Sequence, residues 1–141
     1  MLFPKKVKFR KWQSARKNPK KISSTTSARG SKVSFGSFGL KATTPARIKS
    51  NQIESARKAM TRKLTKAGKV WIRIFPDRPF TQKAAGVRMG KGKGDPQGYC
   101  VEVSAGRVIF EVDGVPAEIA KEALRKAGTK LPVKTKVIAR E

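Results

Sequence analysis

The order of hydrophobic periodicities predicts an α+β fold. It is one small domain of antiparallel or mixed strands with two helices, preceded by a basic arm and carrying a long Gly/Lys-rich loop. Three observations lead there. Apolar runs of period two are interleaved with two stretches in which apolar residues recur every three or four positions. The chain of 141 residues holds 34 Lys and Arg against 9 Asp and Glu, a net charge of +25, crowded toward the N-terminus. A glycine-and-lysine segment, VRMGKGKGDPQG (87–98), separates two of the apolar runs. With 38% apolar residues the chain has enough material for a modest core.

Residues 1–32 mix Lys and Arg with Ser, Thr and single apolar side chains, and stretches such as KNPKKISSTTSARGSK show no sustained period. They predict an extended arm that orders on a polyanion. The domain proper is expected over 33–141. In VSFGSFGLKA (33–42), Val33, Phe35, Phe38 and Leu40 surround two glycines, as in a strand kinked at Gly36. A helix over about 50–67 follows, with Ile53, Ala56, Met60, Leu64 and Ala67 on one face. Arg57, Lys58, Thr61, Arg62, Lys63 and Lys66 cover the rest; Ser50 or Asn51 suits its start and Gly68 its end. KVWIRIF (69–75) alternates as a strand and PDRP ends it. The glycine-rich loop fills about 76–98. YCVEV (99–103) and RVIFEV (107–112), joined at Ser104-Ala105-Gly106, read as an antiparallel hairpin. Pro116 opens a second helix with Ile119, Ala120, Ala123, Leu124 and Ala127 inward; Gly128 stops it, and LPVKTKVIA (131–139) supplies a last strand.

Residues 1–53 carry 14 basic and no acidic side chains, 54–94 carry 12 and 2, and 95–141 carry 8 and 7. So much unneutralised charge makes sense on a polyanion. The composition also excludes several functions. With no His and one Cys, neither a Cys/His zinc site nor a His-dependent catalytic triad can be assembled. Cys100, in an apolar run, reads as a small buried hydrophobe. No stretch approaches the ~18 apolar residues of a membrane span, and MLFPKKVKF lacks a signal-peptide core. A basic start rich in Ser and Thr also fits a transit peptide.

Gly90, Gly92 and Gly94 alternate with Lys91 and Lys93, and Arg88 and Met89 precede them. Glycines let backbone approach a phosphate chain while the cations supply charge. The nucleotide-triphosphate loop fails on spacing: Ala85 and Val87 stand where the first glycine belongs, and Gly92 and Gly94 where the hydroxyl belongs. A dinucleotide fingerprint fails because these glycines do not open a helix. A loop this long in so small a domain tends to be functional.

SFGSFGLKA (34–42), QIESARKAMTR (52–62), KVWIRIFPDRP (69–79), VRMGKGKG (87–94), FEVDGVP (110–116) and KLPVKTK (130–136) resemble, in this order, the large-subunit ribosomal protein L-sixteen family of bacteria and organelles. That family is related to the L-ten-e proteins of archaea and eukaryotes. The resemblance spans 1 to about 138 and includes the start Met1-Leu2-x-Pro4-Lys5, so the basic arm is expected in the mature protein rather than as a transit peptide.

The resemblance implies an α/β-hammerhead-type domain without catalytic residues, metal or cofactor. It implies a cytoplasmic ribosome, an organellar one being compatible. The implied partners are large-subunit rRNA, tRNA and neighbouring ribosomal proteins, with no membrane and no homo-oligomer. Carried onto this chain, rRNA contacts fall to Lys5, Lys6, Lys8, Arg10, Lys11, Lys41, Arg57 and Arg62. The loop facing tRNA and the peptidyl-transferase region falls to Arg88, Met89, Gly90, Lys91, Gly92, Lys93 and Gly94. Two departures stand out: the segment 13–32 is longer and richer in Ser and Thr than the family pattern, and Tyr99-Cys100 stands where the family often has a Trp. Phe9 and Trp12 suit either stacking on bases or anchoring the arm. The alternative class is a DNA- or RNA-compacting architectural protein.

Overall fold

The computed structural model describes residues 1–13, 18–65 and 67–140. The elements run α1 (Pro19–Ser24), β1 (Phe38–Ala42), β2 (Ala46–Lys49), α2 (Ser50–Leu64), β3 (Lys69–Ile72), β4 (Arg78–Gln82), β5 (Asp95–Val103), β6 (Val108–Asp113), α3 (Ala117–Gly128) and β7 (Thr135–Ala139). The strands form two antiparallel sheets, ordered β3-β6-β1-β7 and β2-β5-β4. The architecture is α+β, as the periodicities predict.

Packing explains the layering. Ile53, Ala56, Met60 and Leu64 of α2 are fully buried, at the spacing that stacks side chains on one helical face. They meet Ala120, Ala123, Leu124 and Ala127 of α3, three of which are alanines. The pair covers one face of the larger sheet, where Leu40, Ala42, Phe110 and Val112 complete the core. Every residue of β6 from Val108 to Val112 is buried, because this strand is paired on both edges and covered on both faces.

Helix α2 starts differently from the expectation. The Gln52 side-chain oxygen accepts from the Lys49 backbone N–H at 2.9 Å, whereas Ser50 is buried and donates its hydroxyl to the Leu2 carbonyl at 2.8 Å. Thr65, at φ 57°, ends the helix before Gly68. Ala67 is therefore exposed beyond the apolar face, and Lys66 lies outside the described residues.

Several boundaries shift because pairing partners, not local pattern, decide where a strand ends. Residues 34–36 turn away from β1, since their amides serve the Glu111 carboxylate. The 69–75 run is ladder-paired only to Ile72. The last strand begins at Thr135 and the segment 131–134 turns. Gly128 remains the last residue of α3, and Ile119 is 39% exposed because it sits at the helix entry, off the buried stripe. In the arm, Pro19–Ser24 forms a short helix with Asn18 accepting from Lys20 N–H at 3.0 Å.

The expected hairpin is the main correction. β5 and β6 are adjacent in sequence but lie in different sheets, because the edges of each are already taken. β5 pairs with β2 and β4, and β6 with β1 and β3. The connecting backbone bonds elsewhere: Gly106 N–H donates to the Ala42 carbonyl and the Ala105 carbonyl accepts from Ser27 N–H, both at 2.7 Å. Instead β4 and β5 form the hairpin, with Arg78 opposite Cys100 and Gln82 opposite Asp95. They absorb both ends of the expected 76–98 loop and leave 83–94 as its unpaired tip.

Candidate nucleic-acid interface

The β4–β5 hairpin determines where the loop points. Positive φ at Gly86, Gly90 and Gly92 (78°, 93° and 87°) bends the tip, and a Cβ on any of these would meet nothing within 4 Å. Their requirement is conformational. Gly94 differs: a Cβ there would lie 2.6 Å from the Gln82 carbonyl carbon, so the two strands can approach at the base only without a side chain.

The tip cations divide by what they touch. Arg88 and Lys91 are exposed, and Met89 between them is 91% exposed. Lys83, at the base, reaches across the loop and donates to the Gly90 and Arg88 carbonyls. Lys93 donates to the carbonyl of Trp12 in the N-terminal arm. In return Lys11 donates to the Lys93 carbonyl at 3.1 Å and stands 3.9 Å from the Asp95 carboxylate. The Trp12 ring lies under the Arg78 guanidinium, 5.7 Å from its centroid, in cation–π contact. Arm and loop thus clasp each other across 82 positions of sequence. Nothing in either segment's pattern signals this; Lys83 and Asp95 are the contributors that sequence reasoning missed.

The rest of the arm follows the same division. Leu2 is tied to Ser50, and Phe3 meets Tyr99 edge-to-face at 6.1 Å, so Tyr99 packs the start of the chain onto β5. From there Lys5, Lys6, Lys8 and Arg10 are exposed, with Lys8 over the exposed Phe9 ring at 5.5 Å.

On α2, Arg62 is exposed. Arg57 is engaged by Glu54 through two hydrogen bonds of 3.1 and 2.7 Å. The Arg57 hydrogen bond chiefly holds the Glu54 carboxyl below the usual glutamate range. Lys41 is half-buried in β1 opposite Lys136 of β7, on the sheet face away from the helices. Cys100 is buried in β5, and burial pushes its thiol above the ordinary value, which suits a packing residue.

Among the described residues no group of three or more His, Cys, Asp or Glu is placed to hold a metal, and no helix is long and apolar enough to cross a membrane. Residues 4–138 match the family model of ribosomal protein L16p/L10e. The chain belongs to this family. It is also 54% identical over 140 residues to the large ribosomal subunit protein uL16 from two strains of Porphyromonas gingivalis, covering 99% of this chain and 93% of each relative.

As an L16p/L10e member the protein is a structural constituent of the large ribosomal subunit and not an enzyme. It works in translation, in the ribosome, which in bacteria is cytoplasmic. Ribosomal RNA and other ribosomal proteins are its partners. Membership decides for the ribosomal reading over the nucleic-acid-compacting one. It also gives the charge gradient its physical sense: a chain whose partner is ribosomal RNA has a polyanion at hand to neutralise its surplus positive charge.

Proposed function

We propose that the arm and α2 seat the protein on large-subunit rRNA beside the aminoacyl-tRNA site, and that the loop tip reaches tRNA near the peptidyl-transferase region. In this reading residues 1–32 are the RNA-binding arm and 33–141 the domain that carries the loop. Lys5, Lys6, Lys8, Arg10, Lys11, Lys41, Arg57 and Arg62 meet rRNA phosphates. Residues 88–94 face tRNA, and one copy acts per subunit.

The observation that supports this most is the division of the loop's charge. Lys83 and Lys93 are spent on backbone carbonyls that shape the loop and fasten its base, while Arg88 and Lys91 stand exposed at the tip. Such an arrangement holds positive charge at a fixed distance from the body, where it screens repulsion between the phosphates of two RNA chains. Binding through ~10 phosphates gives a log–log salt slope of roughly −7 to −9. Phosphate contacts position the protein, and RNA shape supplies the selectivity.

Replacing Arg88 and Lys91 with Ala tests the loop assignment. Large subunits should incorporate the variant normally, while pre-steady-state accommodation of aminoacyl-tRNA slows severalfold. Unchanged accommodation kinetics would refute the tRNA-facing role. For the arm, Lys5, Lys6 and Lys8 changed together to Gln should lower incorporation and flatten its salt dependence.

A further inference from the structure

The outer edge of the larger sheet carries a row of rings and cations that neither the arm nor the loop accounts for. β3 is an edge strand, and its alternation turns Val70, Ile72 and Ile74 inward. Lys69 and Trp71 of β3, and Arg73 just past its end, follow one another on the opposite side. Phe35, arriving from the segment before β1, is inserted into this row. Its ring stacks on Trp71 with centroids 6.3 Å apart and planes at 19°, and the Arg73 guanidinium lies 5.0 Å from its centroid. Lys69 closes the other end, 5.1 Å from the Trp71 ring. The order in space is cation, ring, ring, cation.

This surface is held rigidly from beneath. The Glu111 carboxylate, fully buried opposite Trp71, accepts from the backbone N–H groups of Ser34, Phe35 and Gly36 at 2.6–3.2 Å and from the Arg73 guanidinium. Gly36 must lack a side chain, since a Cβ would lie 2.6 Å from the Val112 carbonyl oxygen. Phe35 is thus fixed by its own backbone and yet is 56% exposed. Apolar rings kept on the surface by a buried charge network point to a partner.

The charge around the rings specifies that partner. Lys69 and Arg73 flank them, and Lys41 and Lys136 stand on the same sheet face. The nearby carboxylates are already bonded: Glu111 as above, and Asp113 to the Ser37 hydroxyl at 2.6 Å. A cationic surface interleaved with aromatic rings fits RNA whose bases are unstacked, with phosphates on the lysines and bases against the rings and the guanidinium plane.

We infer that the Lys69–Trp71–Phe35–Arg73 row is a second RNA-binding surface, which holds an unpaired rRNA segment by stacking rather than by phosphate charge alone. It rests on membership in a ribosomal family but not on the roles proposed for the arm, α2 or the loop.

Ultraviolet cross-linking of intact large subunits, read by peptide mass spectrometry, tests it directly. Nucleotide adducts are expected on the peptides holding Phe35 and on those spanning Trp71 to Arg73. In parallel, Phe35→Leu, which keeps an apolar cover on Trp71, competes with the unaltered protein for incorporation into subunits. It should incorporate about fivefold less well, a loss that persists at raised salt because stacking is less screened than ion pairing. Lys69→Gln, which leaves the rings in place, should cost less, and its deficit should shrink as salt rises. Adducts confined to the arm, α2 and the loop, together with normal competition by the leucine variant, would overturn the inference. So would protein–protein cross-links from Lys69 to another ribosomal protein in place of RNA adducts. Failure of the loop or arm assignments would leave these readouts unchanged.

Discussion

The loop tip and strand β6 treat charge in opposite ways. β6 buries one carboxylate, Glu111, and surrounds it with three backbone amides and an arginine until every oxygen lone pair has a donor. The loop raises Arg88 and Lys91 into solvent on glycines whose only demand is conformational. In the first region charge serves the fold and would be ruinous if unpaired. In the second it is surplus to the fold and available to a partner. Proteins that assemble on nucleic acid need both, because a surface left charged for RNA adds nothing to the stability of the free chain.

Glu111 is the point at which β6 is most vulnerable. Glu111→Ala removes the acceptor for three amides and strands Arg73, and should destabilise the protein by about 3–5 kcal/mol in urea titrations. Glu111→Gln should recover part of that by retaining one acceptor oxygen. A loss below about 1 kcal/mol for the alanine variant would mean that residues 34–36 find other partners.

Next in size is the base of the loop against its tip. Gly94→Ala forces a Cβ into the Gln82 backbone and should cost about 1–3 kcal/mol in thermal unfolding. Gly90→Ala meets only its unfavourable positive φ and should cost about 1 kcal/mol. Equal effects would show that the tip is packed as tightly as the base.

Acid provides a sharper version of the first contrast. Burial alone would raise the Glu111 carboxyl, but the hydrogen bonds from Gly36, Phe35, Ser34 and Arg73 outweigh it and hold it below the usual glutamate range. Its contribution to stability is therefore complete above the unfolded-state value of about 4.3 and is lost as pH falls through the lower folded-state value. Melting temperature should drop below pH ~4, and Glu111→Gln should flatten that drop. The smallest effect belongs to Lys91→Ala, which should leave unfolding within about 0.5 kcal/mol of the unaltered protein.

Legibility followed the range of the interactions. The buried stripe Ile53, Ala56, Met60 and Leu64 is visible because helical spacing is local. The glycine-lysine tip is equally visible, since no compact element tolerates that pattern. β2 and β4 were not visible: ARIK and RPFTQ are short, carry charge or proline, and become strands only because β5 lies between them. YCVEV and RVIFEV look like a hairpin by every local criterion, yet their edges are claimed by strands far away in sequence. Phe35 and Trp71 read as ordinary strand aromatics, and their stacking depends on Glu111, some 76 positions from Phe35.

The α+β class, the ribosomal family, both long helices and the glycine loop are readable from the order of residues alone. Each rests on composition, ordered motifs or contacts within a few residues of chain. The tertiary structure decided which strands pair, how the arm clasps the loop, which lysines remain free at the tip, and that a ring row covers a buried carboxylate. Those outcomes depend on competition for hydrogen bonds and surface between segments dozens of residues apart, and that competition leaves no local periodicity to read.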